Sequence, residues 1–215
     1  MRIDLAPDAV ARCIDTVGFG FMFAPAHHGA TRFVVPVRKE LGVRTIFNFL
    51  GPLTNPAGAP RQVIGVSDPS FLETVARAAG ELGAVRALVF RGDDGLDELS
   101  TLGTSQVYEV SQGGVRHYEL TPEAVGLPRA RFEDVAGGMP AENAEIARRI
   151  FAGEAGAPRD LAVLNAGAAI FAAGRADDLD AGCRAAEAAL DSGAVASTLD
   201  RLIAITQELS EAVNA

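Results

Sequence analysis

Two adjacent carboxylates, Asp97 and Glu98, are the residues whose types and spacing point most directly to chemistry. They follow an apolar stretch and stand in a loop flanked by glycine. Mg²⁺ prefers oxygen ligands, and proteins commonly hold it through one or two carboxylates while water and phosphate oxygens complete the shell. A solvated acidic turn has a similar composition, because Asp93 and Asp94 are nearby, and composition alone favours this alternative.

Arg38, one of many arginines in the chain, carries a guanidinium group, which is suited to a planar carboxylic acid. A guanidinium group that is held in place forms two parallel hydrogen bonds with a carboxylate. The alternative is an exposed helical arginine in a weak surface ion pair, which is the usual situation of an arginine on a helix. The residue type by itself does not decide between these interpretations.

Residues 44–56 combine a short apolar run with a stretch rich in glycine, proline and asparagine. Proline fixes backbone angles, glycine permits unusual ones, and asparagine side chains form hydrogen bonds with nearby backbone groups. The pattern predicts a short strand followed by a rigid loop that is held close to the core. Spacing alone favours a buried turn between two elements.

The N-terminal part of the chain predicts two helices and a strand. Residues 7–17 repeat apolar side chains on one face, with a proline suited to the first turn and Gly18 suited to the end. The apolar run over residues 19–24 predicts a buried strand. Residues from about 29 to 41 predict a second helix, which Pro36 is expected to kink or restart.

Strand and helix patterns alternate in the middle of the chain. Residues 62–66 predict a strand, 70–82 a helix and 86–90 a second strand, so that the two strands are expected to be parallel with a crossover helix. Residues 106–110 and 115–120 alternate polar and apolar side chains around a Ser-Gln-Gly-Gly turn. This second pattern predicts a β-hairpin.

Beyond Pro140, apolar stripes at helical spacing predict helices to the end of the chain. The fold class that follows is α/β, with a mixed sheet flanked by helices. Two polar residues are interpreted as structural. Arg61 stands near a strand start, and Asn165 is expected to be buried on a helix, where its amide needs hydrogen-bond partners.

The composition excludes several classes of function. Hydrophobic residues make up 48% of the 215 residues, as in a globular protein. The formal net charge of −9 opposes binding to nucleic acid. No apolar run reaches the roughly 18 residues of a membrane span, and no apolar leader stretch opens the chain. We therefore expect a cytoplasmic protein in which Cys13 and Cys183 are buried thiols.

The string Phe-Asn-Phe-Leu-Gly-Pro-Leu-Thr-Asn-Pro at residues 47–56 resembles the signature of the anthranilate phosphoribosyltransferases. The resemblance runs over nearly the whole chain and includes residues 18–25, 37–45, 92–98, 164–166 and 191–193. It implies the α/β catalytic fold shared by nucleoside phosphorylases and phosphoribosyltransferases. It also implies that residues 1–215 form a single incomplete catalytic domain, truncated at the N-terminus.

The resemblance implies an anthranilate-binding site that contains Arg38, His28 and Pro52. Arg38 stands fourteen residues before Pro52, as does the arginine of the family that contacts the anthranilate carboxylate. His28 is expected to line the aromatic pocket or, alternatively, to begin a helix. The chain departs from the family pattern at Gly29, where proline is usual, and at Thr31, where methionine is usual.

For the metal site, the resemblance selects Asp97 and Glu98 over the two preceding aspartates and implies Mg²⁺ as the cofactor. The implied reaction transfers phosphoribose from phosphoribosyl pyrophosphate to the amine of anthranilate, a step of tryptophan biosynthesis. Its transition state is expected to resemble an oxocarbenium ion, so that catalysis rests on positioning and on neutralising the leaving group. No covalent nucleophile is required, and no catalytic residue of that kind is assigned.

The N-terminal helical domain of the family and its glycine-rich donor-binding loop are not found in this sequence. We therefore expect negligible turnover from the chain alone. The partners considered are a chain that supplies the N-terminal half and a second copy of this chain in a homodimer. Two alternatives stay open, a non-catalytic fragment or partner-binding module and an enzyme similar to pyrimidine nucleoside phosphorylase. The Gly-Pro-Leu-Thr-Asn-Pro string and Arg38 argue against the phosphorylase.

Overall fold

The computed structural model describes three stretches of the chain, namely residues 1–27, residue 40 and residues 47–213. Of the predicted helix over residues 29–41, only Glu40 falls within them, and it is helical. The candidate site residues His28 and Arg38 lie outside the described residues, so their roles stay predictions. In the part that the structure describes, no helix is long and apolar enough to cross a membrane.

The described helices are α1 (Pro7–Val17), α2 (Ala24–His27), α3 (Phe47–Leu53), α4 (Leu72–Glu81), α5 (Phe132–Val135), α6 (Pro140–Phe151), α7 (Ala157–Ala172), α8 (Leu179–Asp191) and α9 (Ala194–Val213). The strands are β1 (Arg61–Gly65), β2 (Arg86–Gly92), β3 (Ser105–Ser111) and β4 (Gly114–Leu120). Short 3₁₀ turns lie at Pro69–Phe71 and Pro122–Val125. Helices α6 to α9 confirm the prediction that the chain is helical beyond Pro140.

The chain divides into two compact units, one formed by Met1–Asn48 with Gly193–Ala215 and the other by Phe49–Ser192. In the first unit, α1 confirms the predicted helix. Proline stands in its first turn, and Gly18 ends it with a φ of 85°, which glycine adopts without strain. Helices α1 and α9 share a core of buried side chains: Leu5, Val10, Cys13, Leu202 and Leu209.

The predicted buried strand over residues 19–24 is wrong. Residues up to 23 are irregular, and the short helix α2 follows them. Phe19 and Phe21 are 49% and 42% exposed. An apolar run predicts burial, but a strand also needs a neighbouring strand for its backbone groups. Here a β-carbon at Gly20 would come within 2.7 Å of the Ile14 side chain, so the segment runs along α1 instead of joining a sheet.

The second unit contains a four-stranded mixed sheet in the order β1-β2-β3-β4. Strands β1 and β2 are parallel and joined by α4, whereas β2–β3 and β3–β4 are antiparallel. The predicted β-α-β unit, the hairpin and the mixed sheet flanked by helices are thereby confirmed. In the parallel pair, Arg61 lies opposite Arg86 and Gly65 opposite Phe90, so the carboxyl ends of β1 and β2 are side by side.

Helix α4 covers one face of this sheet. The apolar residues that share its inner face, Leu72, Val75, Ala76 and Ala79, are 3% exposed or less. They pack on strand residues that include Ile64, Val89 and Val110. Burial of a valine or leucine contributes roughly 1.5–3 kcal/mol relative to exposure, so this layer fixes the crossover helix against the strands.

Helices α7 and α8 approach each other closely at two glycines. A β-carbon at Gly167 would come within 2.6 Å of the Cys183 Sγ, and one at Gly182 would overlap the carbonyl oxygen of Gly167. Because glycine has no β-carbon, the two backbones reach a separation that larger residues would prevent. The helical hairpin thus has a fixed point of contact near the middle of α7.

Strand β4 carries its polar residues towards solvent. Arg116, His117 and Glu119 are exposed. Arg116 forms an ion pair of 2.7 Å with Glu109 on β3, and the His117 ring lies 4.5 Å from the Tyr108 ring. Cross-strand pairs of this kind stabilise the hairpin.

Candidate functional site

The loop of residues 93–98, called the acidic loop below, follows β2 directly. The N–H of Gly92 donates to the carbonyl oxygen of Leu96 at 2.9 Å, and that of Gly95 donates to Gly92 at 3.0 Å. These two bonds close a tight turn at the carboxyl end of β2, beside the end of the parallel strand β1. In open α/β sheets, this is the side on which ligands bind.

The first two carboxylates of the acidic loop are bound to protein donors. Asp94 accepts a hydrogen bond from the Ser100 hydroxyl through Oδ2 and one from the Leu96 N–H through Oδ1, the latter at 3.0 Å. Both carboxylate oxygens of Asp93 lie 3.3 Å from Nε2 of Gln106, which donates to them. The side chains of Asp93 and Asp94 therefore stabilise the conformation of the loop.

The other two carboxylates, of Asp97 and Glu98, are exposed. Among the residues that the structure describes, neither forms an ion pair. The pKa of Glu98 is raised, first because its carboxyl group is partly desolvated and then because Asp97 and Asp94 are negatively charged. The pair is thus a place of unbalanced negative charge, which a cation would relieve.

The chemistry of this donor set fits a partly hydrated divalent cation. Two neighbouring carboxylates supply hard oxygen ligands, and Mg²⁺ commonly keeps several waters or phosphate oxygens in its shell. Within residues 1–27, 40 and 47–213, no group of three or more His, Cys, Asp or Glu residues is arranged to hold a metal ion. A cation at Asp97 and Glu98 would therefore need further ligands from water or phosphate.

Two contacts to distant residues hold the second half of the acidic loop. A β-carbon at Gly65 would overlap the backbone carbonyl oxygen of Asp97, so the loop rests directly on the end of β1. Asn165 on α7 binds the backbone of Leu99 through both polar atoms of its amide. The predicted structural role of Asn165 is confirmed. Its contact with this loop was not predicted, and Asn165 is half-buried rather than buried as expected.

Arg61 and Arg86 hold the C-terminal end of α7 against the sheet. Nη1 of Arg61 donates to the carbonyl oxygen of Ala172 at 3.0 Å, and Nη1 of Arg86 donates to that of Phe171 at 3.2 Å. The guanidinium group of Arg86 also lies 4.6 Å from the centroid of the Phe171 ring. Cations are favourable at a helix C-terminus. The predicted structural role of Arg61 is confirmed, on the helix that carries Asn165.

From residue 47 onwards, where the structure describes the chain, the predicted strand before the Gly-Pro-Leu-Thr-Asn-Pro loop is wrong, because Phe47–Leu53 form helix α3. The Thr54 hydroxyl donates to the carbonyl oxygen of Leu50 at 2.9 Å and so satisfies an acceptor at the helix end. Oδ1 of Asn55 accepts from the Ala57 N–H at 3.0 Å, which confirms the predicted bond from asparagine to nearby backbone. Short apolar runs do not by themselves distinguish a strand from a helix.

Pro52 lies in the last turn of α3 and is exposed. The residues after it line a cavity of about 200 Å³, whose walls include Leu53 and Gln62. This cavity adjoins the N-terminal end of β1, whereas Asp97 lies against the C-terminal end of that strand. Because Arg38 lies outside the described residues, the anthranilate-binding site that contains Arg38 and Pro52 stays a prediction.

The chain matches the family model described as glycosyl transferase family, a/b domain, over residues 1–196. It is 50% identical over 204 residues to the anthranilate phosphoribosyltransferase of Moorella thermoacetica, a match that covers 95% of this chain and 60% of that protein. The crystal structure of the Thermus thermophilus anthranilate phosphoribosyltransferase has a TM-score of 0.89 at 47% identity and covers 96% of this chain and 61% of that one. The Saccharomyces cerevisiae enzyme in complex with PRPP and Mg has a TM-score of 0.87 at 25% identity, covering 96% and 59%.

These similarities confirm the resemblance inferred from the signature string, and the fold matches that of the solved phosphoribosyltransferases. The chain spans about 60% of the length of the curated relatives that it matches. The match to the family model includes the acidic loop, Asn165 and the whole of the mixed sheet. The chain therefore belongs to the glycosyl transferase family, as its α/β domain.

Proposed function

We propose that this chain contributes to an enzyme that transfers phosphoribose from phosphoribosyl pyrophosphate to the amine of anthranilate, in tryptophan biosynthesis. Relatives that are half identical over most of the chain bear the name of that activity. The observation that carries the proposal is that the four carboxylates of the acidic loop differ in their hydrogen-bond partners. Asp93 and Asp94 are bound by protein donors, whereas the exposed carboxylates of Asp97 and Glu98 form no ion pair within the part of the chain that the structure describes.

Asp97 and Glu98 are the proposed ligands of Mg²⁺. When bound, the metal ion supplies positive charge that neutralises the pyrophosphate leaving group. The contribution of this chain is to hold two carboxylates next to each other at the carboxyl ends of β1 and β2. Repulsion between these carboxylates favours cation binding, because a divalent cation relieves it.

Arg38 is proposed to bind the anthranilate carboxylate, with His28 and Pro52 contributing to the same pocket. The resemblance of residues 37–45 and of the signature string to the family supports this assignment. Two parallel hydrogen bonds from a guanidinium group would fix the plane of the aromatic acid. A fixed acid presents its amine in one orientation, which matters in a reaction that uses no covalent nucleophile.

We further propose that residues 1–215 form one incomplete catalytic domain whose turnover alone is negligible. The share of the relatives' length that the chain spans supports this proposal. A chain that supplies the N-terminal half is the expected partner for activity. Assembly as a homodimer and a cytoplasmic location are further predictions.

Calorimetric titration with anthranilate and with Mg²⁺-pyrophosphate tests the two proposed ligand sites separately. Arg38→Ala should weaken anthranilate binding and spare pyrophosphate binding, and Asp97→Ala should do the reverse. Glu133→Ala removes an exposed carboxylate on α5 and should change neither. If a folded Arg38→Ala or Asp97→Ala variant bound both ligands as the parent chain does, the assignment of that residue would be wrong.

Turnover assays separate the remaining functional alternatives. Ordinary steady-state activity of the isolated chain with anthranilate and phosphoribosyl pyrophosphate would refute its expected inactivity. Phosphorolysis of thymidine, together with no transfer to anthranilate after addition of an N-terminal half, would favour the nucleoside phosphorylase. Transfer to anthranilate that appears only after this addition would support the proposal.

A further inference from the structure

Asn165 connects the middle of α7 to the end of the acidic loop through three hydrogen bonds of its side-chain amide. Oδ1 accepts from the Leu99 N–H at 3.0 Å. Nδ2 donates to the carbonyl oxygen of Leu99 at 2.9 Å and to that of Leu161, one helical turn earlier, at 3.0 Å. One side chain therefore satisfies both backbone groups of Leu99.

The chemistry of this contact selects asparagine. An aspartate of the same shape would lack the donor for the carbonyl oxygens, and an apolar residue would leave both groups of Leu99 without a partner. Leu99 is 1% exposed, so water does not readily replace the lost bonds and each unpaired group is costly. Glutamine has the amide but carries it one methylene farther from α7.

The contact lies at the point where it can control the proposed metal ligands. Leu99 follows Glu98 directly, so the peptide that leaves the carboxylate pair is the one that Asn165 binds. At the other end of the loop, Asp94 is anchored by Ser100, whose own N–H donates to Oγ of Ser105 at 2.9 Å. The two carboxylates thus stand between two anchored points, with their own side chains exposed.

We propose that Asn165 is a positioning residue that sets the direction in which Asp97 and Glu98 present their carboxylates to a divalent cation. This inference rests on the proposed function of the acidic loop. Groups that orient metal ligands without touching the metal typically change metal affinity roughly 10- to 100-fold when they are removed. Asn165 acts through the backbone of Leu99, and its effect on the cation is therefore indirect.

The test measures the affinity of the chain for Mn²⁺ with inorganic pyrophosphate, by electron paramagnetic resonance of the free ion. Asn165→Asp is expected to weaken binding roughly 10- to 100-fold at a temperature where circular dichroism shows a folded chain. Asn143→Asp is a matched control, because Asn143 makes the same kind of reciprocal bonds with the backbone of Gly138, at 2.7 and 3.0 Å, in another part of the second unit. It should leave the affinity unchanged.

A double variant separates positioning from a general loss of stability. In an Asp97→Ala background, Asn165→Asp should weaken Mn²⁺ binding less than it does in the parent chain, because only Glu98 is then left to be oriented. Unchanged affinity in folded Asn165→Asp, with a clear loss in Asp97→Ala, would overturn the positioning role and leave the metal site intact. No Mn²⁺ binding by the parent chain would overturn both.

A measurement on the parent chain covers the case in which the Asn165 variant does not fold. Hydrogen exchange of the Leu99 amide should already be slow without metal, since Asn165 holds that N–H. Mn²⁺ and pyrophosphate should slow it little further. An amide of Leu99 that exchanges like a free loop until metal is added would show that the cation orders the loop, and the proposal would be wrong.

Discussion

The backbone of Asp97 occupies the space that a β-carbon on Gly65 would fill. Gly65 is the last residue of β1, so the acidic loop rests on the strand end with no side chain between them. This contact joins the sheet to one of the two proposed metal ligands. It also means that the side chain at position 65 determines whether the loop can hold its conformation.

Gly65→Ala should displace the acidic loop, because the methyl group and the Asp97 carbonyl oxygen cannot share one position. Overpacking of this kind costs about 1–3 kcal/mol of unfolding free energy, and we expect weaker binding of Mg²⁺-pyrophosphate as well. Urea denaturation and calorimetry measure the two effects. Gly113→Ala is the control, since its β-carbon would meet only the Ser111 Oγ, at 3.7 Å. Equal metal affinity in both variants would contradict the role of Gly65.

Gly167→Ala tests the close approach of α7 and α8. The new methyl group would meet the Cys183 side chain and backbone, and we expect a loss of about 1–3 kcal/mol. The expected decrease in unfolding free energy is informative, because alanine at an ordinary helix position would stabilise the helix by roughly 1 kcal/mol relative to glycine. The midpoint of urea unfolding should fall, whereas Gly103→Ala, which has open space around it, should change it little. A midpoint above that of the parent chain would argue against tight packing here.

The two thiols are expected to be unreactive while the chain is folded. Cys13 and Cys183 are 1% and 2% exposed. Burial raises the pKa of both, and for Cys183, where the charges of Asp180 and Glu187 add to the effect, the pKa rises to about 11. Since the thiolate is the reactive form, a disulfide exchange reagent should label them at neutral pH only after addition of urea.

The labelling experiment needs each thiol alone. Cys13→Ser leaves Cys183 and Cys183→Ser leaves Cys13, so that protection in each unit can be followed separately. A thiol that reacts in the folded chain as fast as in urea would show that its burial is not maintained in solution.

Ionisation of Tyr118 should make the chain less stable at high pH. Partial burial and the negative Glu109 raise its pKa to about 12, while Arg116 and Arg86 act in the opposite direction. The unfolded chain ionises this phenol near its ordinary pKa of about 10. Between these values the unfolded state loses the proton and the folded state keeps it, so stability should be independent of this group below about pH 10 and fall above it.

Ultraviolet difference spectra of tyrosinate measure this effect directly, because the chain has no tryptophan and two tyrosines. In Tyr108→Phe, the remaining tyrosine should titrate well above the ordinary range. Tyr118→Phe should flatten the fall of unfolding free energy in the alkaline region. An ordinary titration of the single tyrosine in folded Tyr108→Phe would exclude the proposed environment.

Elements whose signals are local could be predicted from the sequence. The β1-α4-β2 unit follows from strand and helix periodicity, the hairpin from alternation around glycines, and the end of α1 from Gly18. The two wrong strands, over residues 19–24 and before the Gly-Pro-Leu-Thr-Asn-Pro loop, are short apolar runs. Length and hydrophobicity of such runs do not reveal whether a neighbouring strand is available.

In the candidate site too, features of neighbouring residues could be predicted from the sequence, whereas contacts between distant residues could not. Asp97 and Glu98 stand out because adjacent carboxylates form a recognisable pair in the sequence. The contact of Asn165 with Leu99 joins residues 66 positions apart, and that of Gly65 with Asp97 depends on the parallel register of β1 and β2. Neither contact has a local pattern, so only the folded chain shows which residues support the acidic pair.

The exposed polar residues on β4 bear on how the molecule behaves at high concentration. Within the described residues, β4 has a strand neighbour on one side only, and an unpaired rim of this kind is a template for aggregation. A second molecule that added a strand there would have to bring its own chain against Arg116, His117 and Glu119. This edge strand is therefore poorly suited to edge-to-edge pairing between the sheets of two molecules, which should limit association along β4.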